Sequence, residues 1–307
     1  MIKKVPTNVM SIKKIIYAGL AFIAIGFAAC TQNEDMAPSL SGQAINATFS
    51  VGGVQTRVNT LGDGNCWEVG DSIYVCNYDK GQTGIYTYAI EDDVAHWNSD
   101  NFLRWNNTSA CTLIAVCNPS LKNNLNRFEL NLVRDQSTES KLKMADYMSG
   151  CWYGKPELLV EIPMKHRMSR ITISYEIGTY DFPSMDINSM QICSPCSGAS
   201  FSLSNNDWEM NTSAYKESMW VDACKIQNGE DKSFSAIIVP GSFDTSVDFL
   251  KFTLDGKNYT VKLKQRTEFL EGHRYIYSLR KIGRDEIELD VYNQGVLPGW
   301  ENEDELK

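Results

Sequence analysis

From residue 44 onward the apolar residues of this chain fall into short alternating runs, about ten residues apart, and no segment keeps a helical period over three turns. Such runs bury one face only when they stack side by side, so the pattern predicts an all-β fold built of β-sandwiches. The runs are Ile45 to Val51, Ser72 to Tyr78, Ile85 to Ile90, Cys111 to Asn118, Arg127 to Val133 and Leu158 to Ile162, the last closed by Pro163. After the restart at Met164 to Arg170 come Ile171 to Ile177, Ile187 to Cys193, Ala199 to Leu203, Phe234 to Val239, Phe249 to Leu254, Tyr259 to Leu263, Tyr275 to Leu279 and Ile287 to Val291. Asp255-Gly256 between two alternating runs is a strong hairpin signal, because glycine and aspartate tolerate the left-handed backbone of a two-residue turn. One short helical turn is predicted at Met144 to Ser149. The restart divides the chain into an N-terminal sandwich, residues 44–165, and a C-terminal one, residues 166–307.

The first 43 residues do not belong to that pattern. Lys13 and Lys14 precede 13 apolar or small residues, Ile15 to Phe27, and Ala28-Ala29-Cys30 follows. This run is shorter than the roughly 20 residues a permanent membrane helix needs. Its order of positive end, apolar middle and small-residue exit is that of an export signal. The cysteine after two alanines resembles a bacterial lipobox, with Phe27 where leucine is favoured. Residues 1–29 therefore read as a lipoprotein signal peptide, Cys30 as the lipidated residue and residues 30–43 as a flexible tether with Pro38 and Gly42. An ordinary signal peptide with an incidental cysteine is the alternative. Two or more acyl chains, palmitate among them, hold a protein on a membrane where one is marginal.

Charge and cysteine content narrow the function. The chain carries 29 basic and 38 acidic residues, and Lys3, Lys4, Lys13 and Lys14 leave with the signal, so 25 face 38 and the net charge becomes −13. Such a surface argues against nucleic acid as a partner. Eight cysteines follow Cys30, at 66, 76, 111, 117, 151, 193, 196 and 224. Export permits disulfides, and buried free thiols fit as well. Cys111 and Cys117 lie six apart on one strand, about 20 Å from each other, and do not pair. Cys193-Ser-Pro-Cys196 lacks the strand-to-helix setting of a redox site.

Catalytic chemistry has little to stand on. None of His96, His166 and His273 has a second ligand at metal spacing, and His166 among Lys165, Arg167 and Arg170 reads as structural. No nucleophile elbow, phosphate loop or dinucleotide fingerprint occurs. Acidic clusters such as Glu91-Asp92-Asp93 fall at turns. The seven Trp, 14 Tyr and 12 Phe lie mostly on strand positions, where they serve core packing or a sugar-stacking surface. The expectation is a protein that is not an enzyme, with no catalytic residue, metal or cofactor.

A set of motifs in fixed order resembles the fimbrillin (Mfa-like) lipoproteins of type V pili. They are the lipobox at Cys30, an early strand followed by Thr56-Arg57, Trp67-x-x-Gly70-Asp71-x-Ile73-x-Val75 and a strand ending Asn118-Pro119. Then come Asp146-Tyr-Met, His166-x-x-Ser169-Arg170-Ile171-x-Ile173, Ile237-Ile-Val-Pro240, Gly272-x-x-Tyr275-x-Tyr277-x-Leu279 and Pro298-x-Trp300. The resemblance implies two tandem transthyretin-like Greek-key sandwiches. It also implies a structural subunit (anchor, tip or stalk) of a surface fimbrium, carried as a lipoprotein to the cell outer membrane and serving cell adhesion.

By the same resemblance, an arginine-specific protease cuts after an early arginine and frees the first strand, and a strand from a neighbouring subunit fills the groove. Arg57, in a stretch of Gly, Asn and Asp, matches the cut site, with a plain solvated arginine as the other reading. Phe49 and Val51 are then the inward residues of the displaced strand. The tail after Trp300, ENEDELK, makes a poor apolar donor strand, and Ile287 to Val296 is the better candidate. That weakness favours an anchor or tip over a stalk unit. Expected partners are other subunits through strand donation, the outer membrane through lipid, and a host or bacterial surface receptor. The competing class is a monomeric surface lipoprotein that binds a glycan or other ligand through Trp97, Trp105, Trp152 or Trp220.

Overall fold

The computed structural model describes residues 39–51, 67–117, 127–175, 186–204, 207–228, 231–254, 256–281, 287–291 and 301–302. Over them the chain is all-β, with one short helix. The N-terminal residues form a seven-stranded sheet. In spatial order its strands are β1 (Ala47–Val51), β8 (Val160–His166), β7 (Met148–Gly154), β5 (Cys111–Cys117), β2 (Ser72–Asn77), β3 (Gln82–Glu91) and β4 (Val94–Asn98). The sheet curls until its edges meet, with the Phe49 ring of β1 packed edge-on against Trp97 of β4 at 4.7 Å between centroids. Strict alternation in β8 turns Val160, Ile162 and Met164 inward to a cluster that includes Ile45, Phe49, Val51, Trp67, Ile73, Tyr86, Trp105 and Leu113.

The C-terminal residues build several smaller sheets. One holds β14 (Cys224–Asn228), β15 (Asp231–Ile238), β9 (Ser169–Tyr175), β20 (His273–Lys281) and β21 (Ile287–Val291), with β22 (Glu301–Asn302) also on β20. A second holds β13 (Met219–Asp222), β10 (Met190–Ser194), β17 (Asp248–Leu254) and β18 (Lys257–Lys262). A two-stranded ribbon pairs β16 (Gly241–Phe243) with β19 (Thr267–Phe269). The segment 127–147 packs against this half of the chain. Its strand β6 (Arg127–Asn131) pairs with β11 (Gly198–Ser204), which also carries β12 (Asp207–Asn211). Leu130, Leu132, Leu142, Ala145 and Tyr147 join the cluster around Ile171, Phe234, Phe249 and Tyr277.

Several local readings change. The helix α1 spans Glu139–Ala145, earlier than the predicted turn at Met144 to Ser149. Thr138 caps it by accepting a hydrogen bond from the Lys141 amide, Glu139 and Lys143 suit the helix dipole, and Leu142 and Ala145 are its buried face. Residues 148–154 form a strand instead. Gly150 lets β8 come close, since a Cβ there would sit 2.3 Å from the Pro163 carbonyl oxygen. Pro163 does not end its strand but lies within β8, just past the last β7–β8 pair, Gly150 with Met164, where its missing N–H costs the ladder little. Glu91-Asp92-Asp93 is a turn as expected, with Asp92 and Asp93 both at positive φ, but it joins β3 to a strand β4 absent from the alternation pattern. The hairpin between β17 and β18 stands where the glycine signal put it, with Gly256 at φ 69°.

A polar junction ties β8 and β9 to distant parts of the chain. The buried Arg167 guanidinium donates to Ser149 Oγ at 2.7 Å, Glu271 Oε1 at 2.6 Å and Asp207 Oδ1 at 2.7 Å. Burial pushes the Asp207 carboxyl up, but hydrogen bonds from Arg167 and Lys165 outweigh it and hold the group at about 2. At Glu271 burial outweighs Arg167 and the carboxyl is raised. His166 Nδ1 lies 3.0 Å from Asp146 Oδ1, both groups buried, which is a structural role for this histidine. Nearby, the Gln136 side chain accepts from the Ile237 amide at 2.7 Å and donates to the Ile237 carbonyl at 2.8 Å.

Candidate functional site

The first strand closes the N-terminal sheet, and its seating defines the candidate site. Residues 42–45 bond to the segment after β4, with Gly42 N donating to Trp105 O at 2.6 Å, Trp105 N to Gln43 O at 3.0 Å and Ile45 N to Leu103 O at 2.7 Å. From Ala47 the chain passes to the other edge and runs parallel to β8, pairing Ala47 with Val160, Phe49 with Ile162 and Val51 with Met164. The chain thus bonds to residues 103–105 just before β1 and to β8 along β1 itself.

Its alternate side chains Ile45, Ala47, Phe49 and Val51 point into the core, and none is more than 5% exposed. Phe49 sits against Trp97 and Tyr86, and Trp97 in turn against Trp67 and Tyr88, each pair edge-on. Burying a large apolar side chain contributes about 1.5–3 kcal/mol, so Ile45, Phe49 and Val51 together stabilise the sheet by about 5–9 kcal/mol. That is comparable to the whole net stability of a typical domain, about 5–15 kcal/mol. This strand is therefore a main contributor to the stability of the sheet.

The buried polar contacts from the groove go to the strand's backbone. The Tyr86 hydroxyl donates to Ile45 O at 2.8 Å, and the Trp67 indole N–H donates to Phe49 O at 2.8 Å. Burial, partly offset by a backbone hydrogen bond, pushes the Tyr86 phenol up to about 12, so it stays a donor at neutral pH. In the sequence Tyr86 was visible as a strand residue and Trp67 as the first residue of a family motif. Their donation to backbone oxygens needs the sheet to curl, which alternation alone does not reveal.

Other residues singled out from the sequence lie elsewhere. Cys30 and Arg57 lie outside the described residues, as does Cys66. The candidate donor run is half visible: Ile287–Val291 is already paired with β20, and 292–296 lie outside the described residues. Among the described residues Cys76, Cys111, Cys117, Cys151, Cys193, Cys196 and Cys224 are free thiols, and burial raises each of them, which lowers their reactivity. Cys76 and Cys151 both neighbour Ile114 from opposite sides, two strand spacings apart, which is too far for a bridge.

Trp105 is buried, Trp97 and Trp152 pack on the N-terminal core, and Trp220 is covered by the Lys251 ammonium at 3.9 Å. A cleft of about 680 Å³ does open among Gln191, Asp222, Lys225, Lys251, Asn258 and Tyr259, but none of these four tryptophans lines it. No group of three or more metal-ligating side chains occurs among the described residues.

The chain belongs to the fimbrillin-like family, which matches residues 56–291. Its fold is similar to that of a candidate cell adhesion protein from Bacteroides uniformis, at 17% identity and TM-score 0.54, covering 85% of this chain and 99% of that one. A second such protein, from Bacteroides ovatus, matches at 16% identity and TM-score 0.52 over 83% of this chain and 100% of that one. No curated protein matches the sequence. The family match begins at residue 56, one position before Arg57, and so leaves β1 outside it.

Proposed function

We propose that this chain is a structural, non-enzymatic subunit of a surface fimbrium, built as two tandem sandwiches and joined to its neighbours by strand exchange at the first-strand groove. The observation that carries the reading is the seating of β1. It is the first strand among the described residues, lies at a sheet edge, and is followed by Arg57 six residues after Val51. Among the described residues, the buried Tyr86 and Trp67 side chains reach its backbone oxygens. A strand from another subunit with apolar residues at the same alternate positions satisfies the same bonds and fills the same core.

On this reading Cys30 carries lipid to the outer membrane, and the cut after Arg57 decides whether that lipid stays. A chain cut there loses lipid and first strand together; an uncut chain remains an anchor. The pairing of Ile287–Val291 to β20 favours an anchor or a tip over a repeating stalk unit. Adhesion to a host or bacterial surface is the biological output. A monomeric glycan-binding lipoprotein is the second reading, favoured only by the polar cleft near Asn258 and Tyr259.

The test treats the purified precursor with an arginine-specific protease in the presence of fimbrial subunits and follows its size on a native gel. Cleavage at Arg57 followed by higher oligomers is expected. A chain that stays monomeric, and shifts only on adding polysaccharide, overturns the reading.

A further inference from the structure

We infer that the first-strand groove selects its occupant by pattern, and that it takes a strand from a different protein while rejecting this chain's own C-terminal run. The inference rests on the strand-exchange reading above. Four inward positions are filled by Ile45, Ala47, Phe49 and Val51, in the order aliphatic, small, aromatic, β-branched. Ile45 and Val51 are fully buried, so neither position has solvent to satisfy a polar side chain. The aromatic place is built for a ring, edge-on to both Tyr86 and Trp97.

The strand's backbone is held from the groove side. The Tyr86 hydroxyl holds the carbonyl at the first inward position and the Trp67 N–H holds the carbonyl four residues later. Those two oxygens are roughly 13 Å apart along an extended chain. A strand seated one residue out of step still offers carbonyls but turns its other face inward. The donors therefore hold the backbone of whatever strand sits there, and the core decides which register its side chains fit.

The candidate donor run Ile287 to Val296, IELDVYNQGV, fails this test in every register when it runs in the direction of β1. Aligned from Ile287, it puts Leu289 at the small position, Val291 at the aromatic one and Asn293 at the fully buried last one. Slid by two, it puts Asp285 at the fully buried first position, or Asn293 at the aromatic one. A one-residue slip turns Glu288 and Asp290 inward. It has three alternate apolar residues where the groove has four places. Copies of this chain consequently do not join through this run, and the partner at this site is another protein that carries an aliphatic-x-small-x-aromatic-x-β-branched strand.

The chain is nicked at a specific protease sequence placed at Arg57 and incubated with labelled peptides in excess. The peptide of Ile45 to Val51, INATFSV, is expected to exchange in. The peptide IELDVYN is expected to be captured at least about 100-fold less well, and to recover most of the loss when it carries Leu289→Ala, Val291→Phe and Asn293→Val. Trp67→Phe and Tyr86→Phe are each expected to lower capture of INATFSV about tenfold. Equal capture of both wild-type peptides overturns the inference and leaves strand exchange standing. Capture of neither overturns strand exchange at this groove, and the inference with it.

Discussion

Two seams join distant parts of this chain, and they are built from different materials. The first-strand seam is apolar, and its two buried side-chain donors, Tyr86 and Trp67, hold carbonyls of the strand and no side chain. The Arg167 junction is polar, and each of its contacts to Ser149, Glu271 and Asp207 depends on a particular side chain. A seam of the first kind accepts any strand of the right pattern, because every peptide unit offers the same carbonyl. A junction of the second kind accepts nothing but its own residues. The contrast separates the part of the molecule suited to exchange from the part that keeps the rest folded.

Mutation at each seam sharpens the contrast. Phe49→Ala removes the ring from the aromatic place and is expected to cost about 3–5 kcal/mol in urea unfolding. The loss should recover in part when INATFSV is added in excess, since the lesion lies in a replaceable strand. Arg167→Ala takes the buried cation from the Glu271 and Asp207 carboxylates and leaves Asp207 only Lys165, at a cost of about 3 kcal/mol. No added peptide should restore it. If INATFSV rescues Arg167→Ala as well as Phe49→Ala, the distinction between the seams fails.

Smaller effects refine it. Trp67→Phe keeps a ring in the groove but strands the Phe49 carbonyl, and a loss of about 1–2 kcal/mol in the urea midpoint is expected. Acid should then act on the junction alone. The Asp207 carboxyl is held at about 2, below its ordinary value, so its stabilisation is present above about pH 4 and is lost as pH falls toward 2. Glu271 is shifted the opposite way and works against that slope. Thermal unfolding between pH 5 and pH 2 should show the stability gap between wild type and Arg167→Ala narrowing as pH falls. The gap to Phe49→Ala should hold constant, because the inward residues of the first strand bring no titrating group.

Much of the fold could be read from the residues, and the failures have physical causes. Ile287 to Val291 matches a strand end for end, and the Asp255-Gly256 signal stands between paired strands. Strands β4, β13, β16 and β19 left no alternation to read, being only three to five residues long with mixed burial. Strand β8 was cut short because proline ordinarily breaks a ladder, and here it lies just past the end of its pairing with β7. The helix at Glu139–Ala145 is two turns long, too short for a period to show.

At the candidate site the sequence marked Phe49 and Val51, which sit in the core. It gave no sign that Trp67 and Tyr86 hold the strand's carbonyls, because those contacts span 18 and 41 residues. Nor did it separate the segment 127–147 from the N-terminal strands. That segment's packing against β11 and β15 follows from contacts far along the chain, such as Gln136 with Ile237.

The central claim is that the first strand leaves while the remainder stays folded around a replacement. The chain nicked at Arg57 is titrated with urea in the presence of excess INATFSV, following release of the labelled N-terminal fragment alongside the far-ultraviolet β signal. The account predicts that the fragment is released well below the urea concentration at which the β signal is lost. Coincidence of the two transitions, with the fragment retained until the whole chain unfolds, would contradict it.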